Sequence, residues 1–332
     1  MGEGTLIQNT VMRMLPFVPG ESIYISTTRE LAHHIEDQLP LILKENVIVE
    51  PFGRNTGPSI ALAALQLKHR YGPDVVVIFA PSDHVIQNVR EFQVTLDLAC
   101  TAAELSDDIV TIGVMPTRSE TGYGYIQVGD EVQTENHLLQ GSVHRVKTFA
   151  EKPDLATAQR FVDAGDFMWN SGIFVGKVSS ILSAIERHLP DHAPLFTLLE
   201  KHLGKESFND MAENVFRQMR SVSFDIGVME KATNVVMVDG SFGWSDVGTW
   251  DELYRLTMKD GKNNVIEGNV VTLNTTSCLV SGSSGRLVGI VGTENLIVID
   301  TDQALMICER GKTEQVRDLV DLLRRRHIGN SL

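Results

Sequence analysis

The chain is poor in cysteine, in positive charge and in long apolar runs, and each shortage removes a class of function. Its 332 residues include three cysteines, Cys100, Cys278 and Cys308. They are odd in number, lie in apolar surroundings and show no paired spacing. That excludes a disulfide scaffold, argues against a zinc site and fits reduced core thiols in a cytoplasmic protein. Lysine and arginine number 29 against 43 aspartates and glutamates, a formal net charge of −14. A nucleic-acid binder shows phosphates a basic face, so nucleic acid is not an expected partner. No apolar run approaches membrane-spanning length, and the start lacks a basic stretch followed by an apolar one, so neither membrane insertion nor secretion is expected. A Walker loop, a nucleophile elbow and a catalytic-cysteine setting are also missing. His33, His34 and His84 have no metal-ligand spacing and read as surface or satisfied core residues.

What is present is an apolar fraction of 42%, enough for a substantial core in one large and one smaller domain. Through the first two thirds, short apolar runs alternate with helical periodicity. Residues 22–26, 46–50, 75–79 and 107–114 read as strands, and 28–38, 156–164 and 178–189 as helices. The clearest helix opens on Asn55-Thr56-Gly57-Pro58, continues through Ile60, Leu62, Ala63, Leu65 and Leu67, and stops at Gly72-Pro73. This alternation predicts an α/β, Rossmann-like domain with a mostly parallel sheet. From Gly261 the chain turns to Val, Ile, Leu and Thr broken by Gly, Asn and Ser, with a terminal helix over 313–326. The stretch 264–271 fits either the coils of a short β-helix or ordinary hairpins. The expected domains are 1–260 and 261–332, and the apolar C-terminal segment makes a homodimer through the second domain an expectation. Arg324-Arg325-Arg326 reads as a solvated helix end complementing the dipole.

Phe242-Gly243-Trp244-Ser245-Asp246-Val247-Gly248-Thr249-Trp250 sets one carboxylate between two tryptophans and two glycines. Such a carboxylate suits a divalent cation held against a phosphate, because magnesium takes one or two carboxylates plus substrate oxygens. Asp246 then needs a partner. Asp83, in Ala80-Pro81-Ser82-Asp83-His84, follows a buried strand at its carboxyl end, where ligands bind in open α/β sheets. Glu50-Pro51-Phe52-Gly53-Arg54-Asn55-Thr56 joins a strand to a helix N-terminus that can receive an anion or a ring edge, although taken alone a capped loop is the plainer reading. In Thr121-Gly122-Tyr123-Gly124-Tyr125, glycine lets a ligand approach the main chain, or simply makes a turn. Lys152 of Glu151-Lys152-Pro153 can neutralise a sugar phosphate and Glu151 can accept from sugar hydroxyls; a surface ion pair is the plainer reading. Asn170, between Trp169 and Ser171-Gly172, can bond a ligand hydroxyl or close an Asx turn.

The order of these segments is more specific than any one of them. Glu-Pro…Asn-Thr, Pro-Ser-Asp-His, Gly-Tyr-Gly-Tyr, Glu-Lys-Pro, Asn-Ser-Gly and Trp-Ser-Asp-Val-Gly-Thr-Trp, together with 223–231, resemble the sugar-1-phosphate nucleotidylyltransferases, in detail the mannose-1-phosphate guanylyltransferases. The resemblance runs from about Thr5 to the C-terminal helix. It implies that Asp83 and Asp246 hold Mg2+, that Lys152 meets the sugar phosphate, that Gly124, Glu151 and Asn170 line the sugar pocket, and that Glu50, Pro51, Asn55 and Thr56 lie near the base. The implied reaction is attack of mannose 1-phosphate on the α-phosphorus of GTP, giving GDP-mannose and pyrophosphate without a covalent intermediate. Two carboxylates on a metal, with a lysine, are the equipment for bringing two anions together.

One part of the resemblance fails. The family opens with a buried strand and a glycine-rich loop ending in arginine; here residues 1–5 lack that strand, and 6–10 match the family's segment just after the loop. The expectation is an interrupted sheet with open edges, impaired stability and much reduced transfer. The alternatives are a catalytically silent nucleotide-sugar-binding subunit that regulates an active partner, and a sibling enzyme for another sugar phosphate or base. The expected chain is monofunctional, without an isomerase domain.

Overall fold

In the computed structural model, residues 4–283 and 285–326 are described. By contacts the chain divides into two units, Gly4–Asp246 and Val247–Leu332. Residues 1–3 of the opening segment lie outside the described residues. Gly4 and Thr5 lead straight into α1 (Leu6–Met14). Its start is a capping box: the Thr5 hydroxyl accepts from the Gln8 amide, and the Gln8 side chain accepts from the Thr5 amide.

The next elements alternate as their apolar periodicity requires. They are β1 (Ile25–Thr28), α2 (Ala32–Gln38), β2 (Val47–Glu50), α3 (Thr56–Tyr71), β3 (Val76–Phe79), β4 (Val85–Ile86), α4 (Val89–Leu105) and β5 (Ile109–Val114). After them come β6 (Gly124–Glu131), β7 (Val143–Glu151), α5 (Leu155–Ala164), β8 (Phe167–Lys177), α6 (Val178–His188), α7 (Ala193–Glu200), α8 (Phe208–Gln218), β9 (Val235–Gly240) and β10 (Trp244–Ser245). The main sheet has six strands in the order β3-β8-β5-β9-β7-β6, and β1-β2 form a separate parallel pair. Among the described residues, β1 pairs only with β2 and β3 only with β8, so both present an open edge.

The sheet is mixed rather than mostly parallel. Only β5 and β9 pair in parallel within it; β8 runs against β3, β5 and β6, and β7 against β6 and β9. The reason lies in the connections. Parallel neighbours need a crossover, whereas β6 and β7 are joined by a non-helical loop and can pair directly. Period-two alternation then divides the side chains between two layers of helix. Ile109, Val235 and Met237 face the α3 and α6 side with Leu62, Leu65 and Ile181, while Val110, Ile112, Val236 and Val238 face α4 through Phe92, Leu96 and Ala99. Both faces are covered, which explains why β5 is buried at every position.

The second unit holds α9 (Trp250–Leu256), β11 (Val265–Gly268), β12 (Val270–Leu273), β13 (Leu279–Gly282), β14 (Val288–Val291), β15 (Leu296–Asp300), β16 (Leu305–Glu309) and α10 (Val316–Arg325). Successive strands fall on different faces: β11, β13 and β15 stack in parallel on one, and β12 and β14 on another. That is a short β-helix, so the hairpin alternative is set aside, and β16 closes it antiparallel to β15. Cys278, Val280 and Val298 fill one cluster of its core. Outside the coils, Trp250, Leu253 and Tyr254 of α9 pack on Val265, Leu279 and Ile297. By contacts the boundary falls at Asp246/Val247, ahead of the expected 260/261, because α9 packs its apolar side chains on Val265, Leu279 and Ile297.

Candidate active site

Two side-chain groups within Gly4–Asp246 gather most of the expected site residues. The first is built on a two-residue antiparallel ribbon in which Trp244 pairs with Ile86 and Ser245 with Val85. Asp246 follows one strand of this ribbon at the end where Asp83 and His84 lead into the other. The ribbon's opposite end is closed by the amides of Gln87 and Asn88 donating to the carbonyl of Phe242. Asp83 is exposed, 70% of its side chain reaching solvent, and its Oδ1 lies 3.9 Å from Nε2 of His84. Trp250, the second tryptophan of the motif, packs on the cluster of Val265, Leu279 and Ile297. The aromatic neighbours actually present are Trp244, Tyr123 and Trp169, with Tyr123 4.9 Å from Trp244 and 5.1 Å from Trp169 between ring centres.

The second group sits where β6, β7 and β8 run together. Gly124 is paired with Glu151, and a Cβ at Gly124 would collide with the Glu151 carboxylate and crowd Asn170. Lys152 comes next with φ of 49°, a left-handed conformation that a residue before proline rarely takes. Its ammonium lies 2.8 Å from Oε1 of Glu151, while its amide donates to the carbonyl of Tyr123. Burial raises the Glu151 carboxyl above its ordinary range against the pull of Lys152.

Asn170 closes the Asx turn that its sequence allowed and makes two further side-chain bonds. Its Oδ1 accepts from the amide of Gly172 at 3.0 Å, an Asx turn, and from the hydroxyl of Thr111 at 3.2 Å. Here β8 bulges against β5, with Gly172 in the left-handed region at φ of 69°. The amide nitrogen of Asn170 donates to Asp225 at 2.9 Å. Asp225 opens a π-helical turn, Asp225–Met229, a rare element concentrated at functional sites. Burial pushes its carboxyl upward. Glu230, just beyond the turn, accepts from the amide of Glu151. Asp225 and Glu230 were not singled out from sequence, because nothing in Ser223-Phe224-Asp225-Ile226-Gly227 marks a π-turn in advance.

The base-side residues hold together through the same segment. Asn55 caps α3 at φ of 68°, its side chain accepting from the Thr56 amide. The Thr56 hydroxyl accepts from the amide of Phe224 at 2.8 Å, and the carbonyl of Arg54 accepts from Val222. Thr56 therefore clasps the start of α3 to the segment that leads into the π-turn at Asp225. Glu50 is buried at the end of β2 beside Ser26, whose hydroxyl donates to it at 3.3 Å, and burial raises its carboxyl. Pro51 comes directly after it, half-buried.

With this geometry in place, comparison with known proteins decides the family: the nucleotidyl transferase family matches residues 1–263. The chain belongs to the nucleotidyl transferase family. Residues 268–323 of this nucleotidyl transferase match a mannose-phosphate isomerase/GMP-like β-helix domain. The alginate biosynthesis protein AlgA of Pseudomonas syringae pv. tomato is 35% identical over 97% of the chain and 65% of its own length. A mannose-1-phosphate guanylyltransferase of Escherichia coli is 33% identical over 97% of the chain and 68% of its own length. The chain thus spans about two thirds of the curated relatives it matches, 65% in AlgA. Among solved structures, a protein of Thermus thermophilus named as a mannose-1-phosphate geranyltransferase superposes with a TM-score of 0.83 at 29% identity, over 96% of this chain and 89% of its own. A Helicobacter pylori mannose-6-phosphate isomerase shares the fold, with a TM-score of 0.62 at 23% identity over 74% of this chain and 92% of its own.

The resemblance read from the motif order is thereby borne out at the level of the family. Among the described residues no helix is long and apolar enough to cross a membrane.

Proposed function

We propose that the chain transfers GMP from GTP to mannose 1-phosphate, giving GDP-mannose and pyrophosphate. What supports this reading is that Asp83 precedes β4 and Asp246 follows β10 at the same end of their ribbon, in a chain of the nucleotidyl transferase family. Nucleotidyl transferases generally use a divalent cation. The donor set fits Mg2+ in particular: two hard carboxylate oxygens, one of them on an exposed side chain, leave room for phosphate oxygens and water in an octahedral shell. Among the described residues there is no cluster of three or more acidic, histidine or cysteine ligands, so a cation here would complete its shell from substrate. Bound there, it would neutralise charge on the triphosphate.

The chain's own residues supply the rest. Lys152 brings positive charge to the phosphate of the incoming sugar, and its strained backbone fixes where that charge sits. Gly124, Glu151 and Asp225 present a main-chain surface and two carboxylates able to accept from hydroxyls, with Asn170 setting the rotamer of Asp225. Glu50, Pro51, Asn55 and Thr56 hold the base side, the carboxylate of Glu50 matching the paired N–H donors on one edge of guanine. Free Cys100, Cys278 and Cys308 fit a cytoplasmic enzyme. A homodimer through the β-helix domain is supported by the exposed apolar side chains Val271, Leu273 and Val291 on one of its faces.

The deciding experiment is pyrophosphate release with GTP, mannose 1-phosphate and Mg2+, beside an Asp246→Asn variant. Release that depends on both substrates and is lost in the variant is the expected result. Equal release from the variant would overturn the assignment of the site. A folded sample that binds GDP-mannose without turnover would favour the silent binding subunit.

A further inference from the structure

His84 follows Asp83 directly, and its ring is held by a hydrogen bond from Trp244. The indole Nε1 of Trp244 is 3.0 Å from its Nδ1, with the rings edge-on at 5.3 Å. An indole N–H can only donate, so Nδ1 must offer its lone pair and the ring proton sits on Nε2. Nε2 is the atom turned toward Asp83, 3.9 Å from Oδ1. Trp244 is two residues before Asp246 and belongs to the strand that carries it.

The loop around Asp83 is pinned on both sides by α1. The Thr10 hydroxyl donates to the carbonyl of Ser82 at 2.9 Å, and the guanidinium of Arg13 donates to the carbonyl of His84 at 2.9 Å. Arg13 is buried, its guanidinium 6.0 Å from the centre of the Phe92 ring, and no carboxylate pairs with it among the described residues. A buried cation spent on a main-chain carbonyl is a costly way to hold a loop unless the placement of that loop matters.

Resting on the metal reading above, we propose that His84 is a positioning residue: its bond to Trp244 ties the Asp83 loop to the Asp246 strand and sets the spacing of the two carboxylates. Groups behind metal ligands commonly orient them in this way. The bridge needs an acceptor at the Nδ1 position and a donor on the tryptophan, so either half can be removed separately.

The experiment measures Mn2+ affinity of the GTP complex by electron paramagnetic resonance, with thermal unfolding alongside. Trp244→Phe keeps an aromatic side chain while removing the N–H donor and part of the indole's volume; His84→Ala removes the bridge; His84→Asn places an oxygen near the former Nδ1. The expected result is about tenfold weaker Mn2+ binding for Trp244→Phe and His84→Ala, with substantial recovery in His84→Asn. Nitrogen-15 NMR of the wild-type chain is expected to show the neutral ring protonated on Nε2. Should His84→Ala fail to fold, Trp244→Phe carries the test. Unchanged affinity in folded Trp244→Phe, or a proton on Nδ1, would overturn the proposal. Asp83→Asn and Asp246→Asn separate the two levels: weakened binding in these with none in Trp244→Phe defeats the bridge and leaves the metal site standing. Unchanged binding in all of them defeats the metal reading and the bridge with it.

Discussion

The side-chain amide of Asn170 donates to the carboxylate of Asp225 at 2.9 Å, joining β8 to the π-helical turn across the candidate sugar pocket. The bond explains why Asn170 is buried without waste: its oxygen serves Thr111 and Gly172, its nitrogen serves Asp225. In the proposed reading Asp225 is the group that meets a ligand, with Asn170 behind it.

Asp225→Asn should therefore separate stability from function. Burial raises the Asp225 carboxyl, so the folded state holds its proton at a pH where the unfolded chain has released it. Between those two values the folded state binds more protons, and stability falls as pH rises. Asparagine removes the charge and can still accept from Asn170. Chemical denaturation from pH 4 upward should show a shallower loss of stability in the variant, while the KM for mannose 1-phosphate rises at neutral pH. A pH dependence identical to wild type would mean that Asp225 ionises without penalty.

Gly124→Ala tests the closeness of β6 to the acidic pocket. The backbone of Gly124 is not in the left-handed region, so the substitution is opposed by contact alone: the new methyl meets the Glu151 carboxylate and the side chain of Asn170. Overpacking of this kind costs about 1–3 kcal/mol. Reduced thermal stability and a greater loss of sugar-phosphate affinity than of GTP affinity are expected. Equal losses for both ligands would move Gly124 out of the sugar side of the site.

Much of the framework was legible in the sequence, and the parts that were not have physical causes. The Asn55 cap and the apolar series from Ile60 to Leu67 are local signals, and α3 runs Thr56–Tyr71 as they require. The placement of Asp83 at a strand end also comes from local pattern. Strand direction does not: β7 and β8 reverse the expected parallel order, and an apolar run carries no sign of its neighbours' direction. The motif around Asp246 was read as one unit, yet Trp244 and Trp250 pack in different cores, because the helix after Thr249 finds its apolar partners in the β-helix. His84 looked like a satisfied core residue and is satisfied, by Trp244; that its other nitrogen faces Asp83 depends on a pairing of residues far apart in the chain.

Lys152→Gly addresses the strained residue at the end of β7. A side chain at φ of 49° costs about 1–2 kcal/mol, which glycine does not incur, although glycine loses more freedom on folding. The two effects oppose, so unfolding should shift by no more than about 1 kcal/mol. Activity should behave differently, since the ammonium held against Glu151 disappears. The expected outcome is a normally stable protein with a severe loss of pyrophosphate release. Wild-type turnover would show that Lys152 has no part in the reaction.

The β-helix domain offers the last test. On β12 and β14, Val271, Leu273 and Val291 are each more than half exposed and lie on the outward side of a parallel pair, with Leu273 opposite Val291. A patch of this kind on a β-helix face is unfavourable in water unless covered. If a second copy covers it, Leu273→Lys with Val291→Lys places like charges at the centre of that contact and should convert a dimer to a monomer in sedimentation velocity. The substitutions point outward and leave Cys278, Val280 and Val298 packed inside, so the monomer should unfold as a β-helix of unaltered core. A wild-type chain that sediments as a monomer at high concentration, or a double variant that remains dimeric, would exclude this face as the interface.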